Sequence, residues 1–163
     1  MTFYDIKQAA QYLNAFEGKV IGVTSGCYDL LHPLHILYLT KCKRECDILL
    51  VQLDSDFLTF RNKKRSPYIN EVDRAFMADN IKCVDCTMII NEIHHVEKML
   101  KALDTSKNKI KNFKNSDIIY GKPAIRVEGV DLVIIPDVLR FNSTTEIREF
   151  LKSSSNEPTL KQR

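Results

Sequence analysis

Two imidazoles three positions apart, His32 and His35, close the run Gly26-Cys27-Tyr28-Asp29-Leu30-Leu31-His32-Pro33-Leu34-His35. Each ring can donate a hydrogen bond to an anion. If the run ends at a helix start, unpaired backbone N–H groups point at the same ligand. Gly26, at the head of the run, can relax the backbone beside it. A second run, Ser143-Thr144-Thr145-Glu146-Ile147-Arg148, places three hydroxyls and an arginine within two turns. Ser143 followed by Glu146 is a capping box, which alone marks only a helix start; the added hydroxyls and Arg148 make that start a phosphate site by dipole, N–H groups and charge. Both runs therefore point to phosphate binding. As plain structure, His32 is a cap and His35 covers the first turn; as a metal pair, the two lack a further matched ligand.

The elements that must position these residues follow from periodicity. Ala9, Ala10, Leu13 and Phe16 recur at helical spacing over residues 5 to 16, Gly18 ends the pattern, and Val20–Thr24 is β-rich. Ile36, Leu39, Cys42 and Cys46 mark an amphipathic helix over 34 to 46. Ile48–Leu53 is apolar at nearly every position, as a strand covered on both faces requires. Helices over 72–82, 94–103 and 143–152 and strands over 84–90, 117–120 and 130–135 complete the pattern. Strands alternating with helices predict an α/β fold, a doubly wound parallel sheet with right-handed crossovers. Ligands then gather beyond the carboxyl ends of the strands, in the loops after Thr24, Leu53 and Ile135.

Composition sets the class. With 163 residues, 44% of them apolar and 28% charged, and a net charge of +3, the chain is neither disordered nor a basic nucleic-acid arm, and it fits one domain. That domain is expected over 1–152, with 153–163 a polar tail. No apolar run reaches the roughly 18 residues of a membrane span, and the first residues lack a secretory pattern. Five cysteines, an odd count, suit reduced thiols and a cytoplasmic setting. Zinc on Cys42, Cys46, Cys83 and Cys86 conflicts with Cys42 and Cys46 sharing a helical core stripe and with positions 83 and 86 facing opposite sides of a strand. His94-His95 reads as polar surface. Positive charge concentrates at Arg61, Lys63, Lys64 and Arg65 and over 101–115, both read as solvated loops. The first lies on the ligand side of the sheet, where its cations can close over a phosphate. Cys27 is the thiol a bound phosphate would shield.

The run from Gly26 to His35 resembles the Gly-x-Phe-Asp-x-x-His-x-Gly-His motif of the cytidylyltransferase-like nucleotidyltransferases, and Ser143–Arg148 resembles their C-terminal Ser-Ser/Thr-Thr-x-x-Arg element. The likeness is to the glycerol-3-phosphate cytidylyltransferase branch and to the nucleotidyltransferase domain of the bacterial ADP-heptose synthesis enzyme. It covers about residues 18 to 152, including Asp54-Ser55-Asp56, Pro67 to Arg74 and Cys83-Val84-Asp85, and is least over 91–130. Leu34 replaces the motif glycine, Asn142 an isoleucine and Val72 a glutamate; Val138 stands where one branch has an arginine, with Arg140 nearby.

The resemblance implies a single Rossmann-like domain of the HxGH nucleotidyltransferase type. Its activity would be transfer of CMP or AMP from CTP or ATP to a small phosphorylated polyol or sugar, with release of pyrophosphate. It places His32 and His35 on the α- and β-phosphates, Lys63 or Lys64 on the transferred or acceptor phosphate, and Ser143, Thr144, Thr145 and Arg148 on the β- and γ-phosphates. Gly26, Cys27, Tyr28, Leu34 and Arg140 would line the nucleotide, with Asp29 orienting the loop or the acceptor. Mg²⁺ would ride on the triphosphate, and a homodimer is expected, without membrane or nucleic-acid partners. The alternative is a nucleotide-binding sensor or partner-binding module of the same fold without catalysis, suggested by Leu34 and by the absence of the branches' central motifs near Tyr120-Gly121-Lys122.

Overall fold

The computed structural model describes residues 1–116, 118–119 and 122–136. Six parallel strands form its main sheet: β1 (Thr2–Phe3), β2 (Val20–Gly26), β3 (Ile48–Asp54), β4 (Cys86–Ile90), β5 (Lys109–Lys114) and, after a short antiparallel pair of β6 (Ile118–Ile119) and β7 (Lys122–Pro123), β8 (Val130–Ile134). They lie in the order β1-β4-β3-β2-β5-β8. Helices α1 (Ile6–Asn14), α2 (Pro33–Arg44), α3 (Asp56–Lys63), α4 (Glu71–Asp79) and α5 (His94–Ala102) connect them.

Both faces of the sheet are covered, so the expected α/β, Rossmann-like architecture is what the chain adopts. On the first face Ala9, Ala10 and Leu13 of α1, Leu58 of α3 and Val96, Met99 and Leu100 of α5 pack with Ile21, Val23, Ile48, Leu50, Met88 and Ile110. On the second, Leu39 and Cys42 of α2 and Ala75 and Ala78 of α4 pack with Leu49, Val51, Leu53, Ile89 and Phe113. Alternate residues of β3 thus serve opposite cores, which is why the sequence of this strand shows no polar face.

Three elements differ from the expectation. β1 extends the sheet edge beside β4 and was too short to show periodicity. Residues 61–65 are not a simple loop: Asp56–Lys63 is helical, Ser55 Oγ accepts from the Leu58 N–H at 3.1 Å as its N-cap, and Arg61 and Lys63 sit in the last turn, where cations complement the helix dipole. Within 101–115 the lysine-rich run is the interior strand β5, between β2 and β8, not a solvated loop. Its lysines hid it: Lys109 pairs with Asp131 at 3.2 Å and Lys111 with Glu45 at 3.0 Å, while Ile110, Asn112 and Phe113 are buried. Within the expected strand over 117–120, Ile118–Ile119 is a strand, and residues 117 and 120 lie outside the described residues. The helix over 143–152 and the tail 153–163 lie outside the described residues.

At Gly22, β2 is packed closely between Phe113 of β5 and Cys46, just beyond the end of α2. A Cβ on Gly22 would stand 2.5 Å from Phe113 Cε2 and 2.6 Å from Cys46 Sγ. Gly22→Ala is therefore expected to lower the unfolding free energy by about 1–3 kcal/mol in urea titration. Gly18→Ala, at φ +68° with nothing within 4 Å, should cost only about 1 kcal/mol, from its left-handed backbone.

Candidate functional site

Strand order reverses between β2 and β5. From β2 the chain passes to α2 on the second face, whereas beyond β5 the residues Ile125, Val127 and Val130 pack on the first. The carboxyl ends of these two strands therefore bound the position where α/β sheets receive ligands. Gly26–His35 leaves β2 at this point.

The loop is held from below. Arg74, on α4, is 1% exposed, and its guanidinium donates through Nε to the Ile69 carbonyl at 2.9 Å, through Nη1 to the Cys27 carbonyl and through Nη2 to Asp56 Oδ1 at 2.7 Å. One planar group thereby joins the loop after β2, the start of α3 and the segment before α4. Asp29, 2% exposed, adds a second tie: Oδ1 accepts from the N–H groups of Tyr68 and Ile69 at 3.0 and 3.2 Å, and Oδ2 stands 3.7 Å from Arg65 Nη1. Asp29 thus orients the loop.

Strain in this loop falls on Tyr28 (φ 51°) and Leu30 (φ 48°), not on Gly26, which has no positive φ. The role of Gly26 is clearance, since a Cβ there would stand 3.1 Å from the Tyr28 ring. Tyr28 packs in the second core, and burial raises its phenol well above the ordinary range. Cys27 is buried too, its Sγ 3.4 Å from Thr59 Oγ1, so the protein itself already shields this thiol.

His32 is the N-cap of α2, and its N–H donates to His35 Nδ1 at 3.3 Å. That bond leaves the proton of neutral His35 on Nε2, available as a donor. The two rings lie 3.9 Å apart between centroids, and Tyr28 backs His35 at 5.4 Å. Burial, then the neighbouring His32 and Lys63, push the His35 imidazole down to about 4, against the pull of Asp29. His35 is therefore neutral at neutral pH. Lys63, half-buried at the end of α3, bears on His35 electrostatically; Lys64 is the exposed, left-handed C-cap at φ 55°. Leu34 is half-buried and belongs to neither core cluster, so the residue in the motif glycine's place is not turned into the core. Arg140, Ser143, Thr144, Thr145 and Arg148 lie outside the described residues.

Sequence reading missed Lys114. It ends β5 beside the first loop, is 6% exposed, and donates to Ser25 Oγ at 2.5 Å. Burial lowers its ammonium to about 8, opposed by Asp54. The alternation Ile110-x-Asn112-Phe113 was the signal that Lys114 terminates an inner strand.

The profile of cytidylyltransferase-like proteins matches residues 23–150. The chain belongs to the cytidylyltransferase-like family. Among curated proteins it is similar to the bifunctional protein HldE of Helicobacter pylori (strain P12), 39% identical over 120 residues, which span 73% of this chain and 22% of that protein. It is also similar to the bifunctional protein HldE of Rhodopseudomonas palustris (strain BisB18), 31% identical over 132 residues, or 80% of this chain and 26% of that one. The chain thus spans about a quarter of the length of these relatives. Among solved structures, the lipopolysaccharide core biosynthesis protein of Thermoplasma volcanium GSS1 shares the fold, with a TM-score of 0.56, 22% identity, and coverage of 74% of this chain and 98% of that one. The family likeness drawn from the motifs is borne out, as is the Rossmann-like fold. Nucleotidyl transfer is the general chemistry that this kinship supports.

The geometry generates two expectations. Arg74→Met should destabilise the fold by about 3–5 kcal/mol in denaturant titration, because it strands buried carbonyls and the Asp56 carboxylate together. For His35, the unfolded chain takes up a proton near pH 6.5 that the folded chain refuses until about 4. Stability should therefore rise with pH across that window, and the rise should be smaller in His35→Gln, read as urea midpoints from pH 4 to 7.

Proposed function

We propose that this chain transfers the nucleotidyl group of CTP or ATP to a small phosphorylated polyol or sugar, releasing pyrophosphate. The observation that carries the reading is the close, tilted His32–His35 pair at the N-terminus of α2, beside the switch point of the sheet, with His35 held neutral and its Nε2–H free of the bond that Nδ1 makes. In the transfer, an anionic oxygen of the acceptor phosphate forms a bond to the α-phosphorus while the bond from that phosphorus to the bridging oxygen of the β-phosphate breaks. The electron pair leaves with pyrophosphate. The attacking oxygen carries no proton, so no general base is needed; placement and charge neutralisation are what the protein supplies.

His35 would donate through Nε2 to an oxygen between the α- and β-phosphates, with His32 beside it. Lys63 would meet the transferred or acceptor phosphate, in preference to Lys64, because it is the lysine whose charge reaches His35. Arg140, Ser143, Thr144, Thr145 and Arg148 complete the proposal on the β- and γ-phosphates. Among the described residues no group of three or more His, Cys, Asp or Glu side chains could hold a metal, and Asp29 already accepts two N–H bonds. In this proposal Mg²⁺ would ride on the triphosphate, where it would offset part of its charge. All five cysteines are free, in keeping with the cytoplasmic setting proposed. No helix among the described residues is long and apolar enough to cross a membrane.

Leu34, outside both cores at the motif glycine's place, favours one rival: a module that binds nucleotide without turning it over. A pyrophosphate-release assay with Mg·CTP or Mg·ATP and a panel of phosphorylated polyols and sugars separates the two. Release with one acceptor, reduced at least about 100-fold in a folded His35→Ala variant, is the expected result. Nucleotide binding without release for every acceptor would establish the rival, and wild-type turnover by His35→Ala would overturn the role of the histidine.

A further inference from the structure

A polar row crosses the sheet at its ligand-binding end. Ile21 and Val23 of β2, Ile48 and Leu50 of β3 and Ile110 of β5 all face the first core, so by alternation Ser25, Gln52 and Lys114 face the same side. Ser25 is opposite Gln52 in the β2–β3 pairing, and the β2–β5 register, running to Thr24 opposite Phe113, brings Lys114 beside Ser25 on the other side. The Lys114–Ser25 hydrogen bond closes that register.

Two features of the row lack a structural explanation. Burying an ammonium is costly unless an anion meets it. Yet among the described residues no carboxylate stands within 4 Å of Lys114 Nζ, and its hydrogen bond goes to a neutral hydroxyl. Gln52 is fully buried; among the described residues its amide nitrogen reaches only the Met88 sulfur, at 3.9 Å, and its Oε1 has no donor. A cation that no described carboxylate meets within 4 Å, Asp54 acting on it electrostatically without such a contact, and an acceptor with no donor among the described residues flank Ser25 at the end of the sheet where α/β folds receive ligands. A compound carrying an anionic oxygen and a hydroxyl hydrogen matches both.

We propose that Lys114, positioned by Ser25, is a phosphate-binding residue of this site, taking an anionic oxygen of a phosphorylated polyhydroxy compound whose hydroxyl is met by Gln52. The proposal rests on the nucleotidyl-transfer reading and adds a cation supplied by the sheet itself, from the strand beside the one that leads into the histidine loop. The phosphate oxygen belongs either to the nucleotide or to the acceptor.

The test follows the Lys114 amine by the ¹³Cε resonance of the labelled full chain through a pH titration. It is run alone, with Mg·CTP, with Mg·ATP, with inorganic phosphate, and with phosphate added over each nucleotide; calorimetry of wild type and Lys114→Met runs in parallel. A phosphate oxygen at Nζ raises the midpoint from about 8 to above about 9. It also makes affinity fall about tenfold per pH unit between the free and bound midpoints. A rise with nucleotide alone, with at least tenfold weaker nucleotide binding by Lys114→Met, assigns the oxygen to the nucleotide. A rise only when phosphate joins the nucleotide assigns it to the acceptor. If wild type binds nucleotide but the midpoint moves under no condition, the proposal is overturned and nucleotidyl transfer stands. If neither nucleotide binds, nucleotidyl transfer fails; a midpoint raised by phosphate alone then upholds Lys114, and an unmoved one overturns it as well. Because the midpoint is read on the wild-type chain, poor folding of Lys114→Met does not blunt the test.

Discussion

A single buried guanidinium sets the geometry on which the site depends. Arg74 is anchored on α4, packed against the second face of the sheet, and its three donating directions end on the loop after β2, the N-terminus of α3 and the backbone before α4. The planar fork of arginine makes those directions mutually fixed, which a lysine at the same place could not do. The cost of burying its charge is offset by one carboxylate and two carbonyls, so the gain is positional: three segments far apart in sequence cannot move independently. Asp29 repeats the tactic with the opposite charge, using one carboxylate to hold two backbone N–H groups and an arginine.

With the loop so fixed, its strained residues become intelligible. Tyr28 and Leu30 adopt left-handed backbones at a cost of about 1–2 kcal/mol each. Burial of the Tyr28 ring in the second core and the Arg74 bond to Cys27 hold the loop in that shape. The consequence is a defined entry into α2, with His32 as cap and His35 fixed in tautomer by the bond from the cap's own N–H. Electrostatics then follow from packing: a crowded imidazole beside a second imidazole and a lysine stays uncharged until an anion arrives.

Much of this was legible in the sequence. The continuous apolar run of Ile48–Leu53 foretold a strand buried on both faces, and the run that ends on two histidines at a strand-to-helix turn carried the family likeness. What stayed hidden was hidden by charge. β5 looks like a solvated segment because three of its six residues are lysines, and only tertiary structure shows that two are ion-paired and the third lies buried beside Ser25. α3 was masked because Arg61 and Lys63, which complement the end of its dipole, read as a basic loop. The contribution of Gly26 was misread for a related reason: its value lies in space for the Tyr28 ring, a contact two residues along the chain but invisible to periodicity.

The central claim is that a nucleotide binds at the carboxyl ends of β2 and β5, between the histidines of α2 and the floor of the sheet. Its most direct measurement is the chemical-shift map of the ¹⁵N-labelled chain on adding Mg·CTP and, separately, Mg·ATP. The account predicts that at least one nucleotide shifts the amides of Ser25 through Ile36 and of Lys114, while those of Lys19, Asp47 and Asn108, at the amino ends of β2, β3 and β5, stay in place. Shifts confined to the amino ends, or none with either nucleotide, would contradict it.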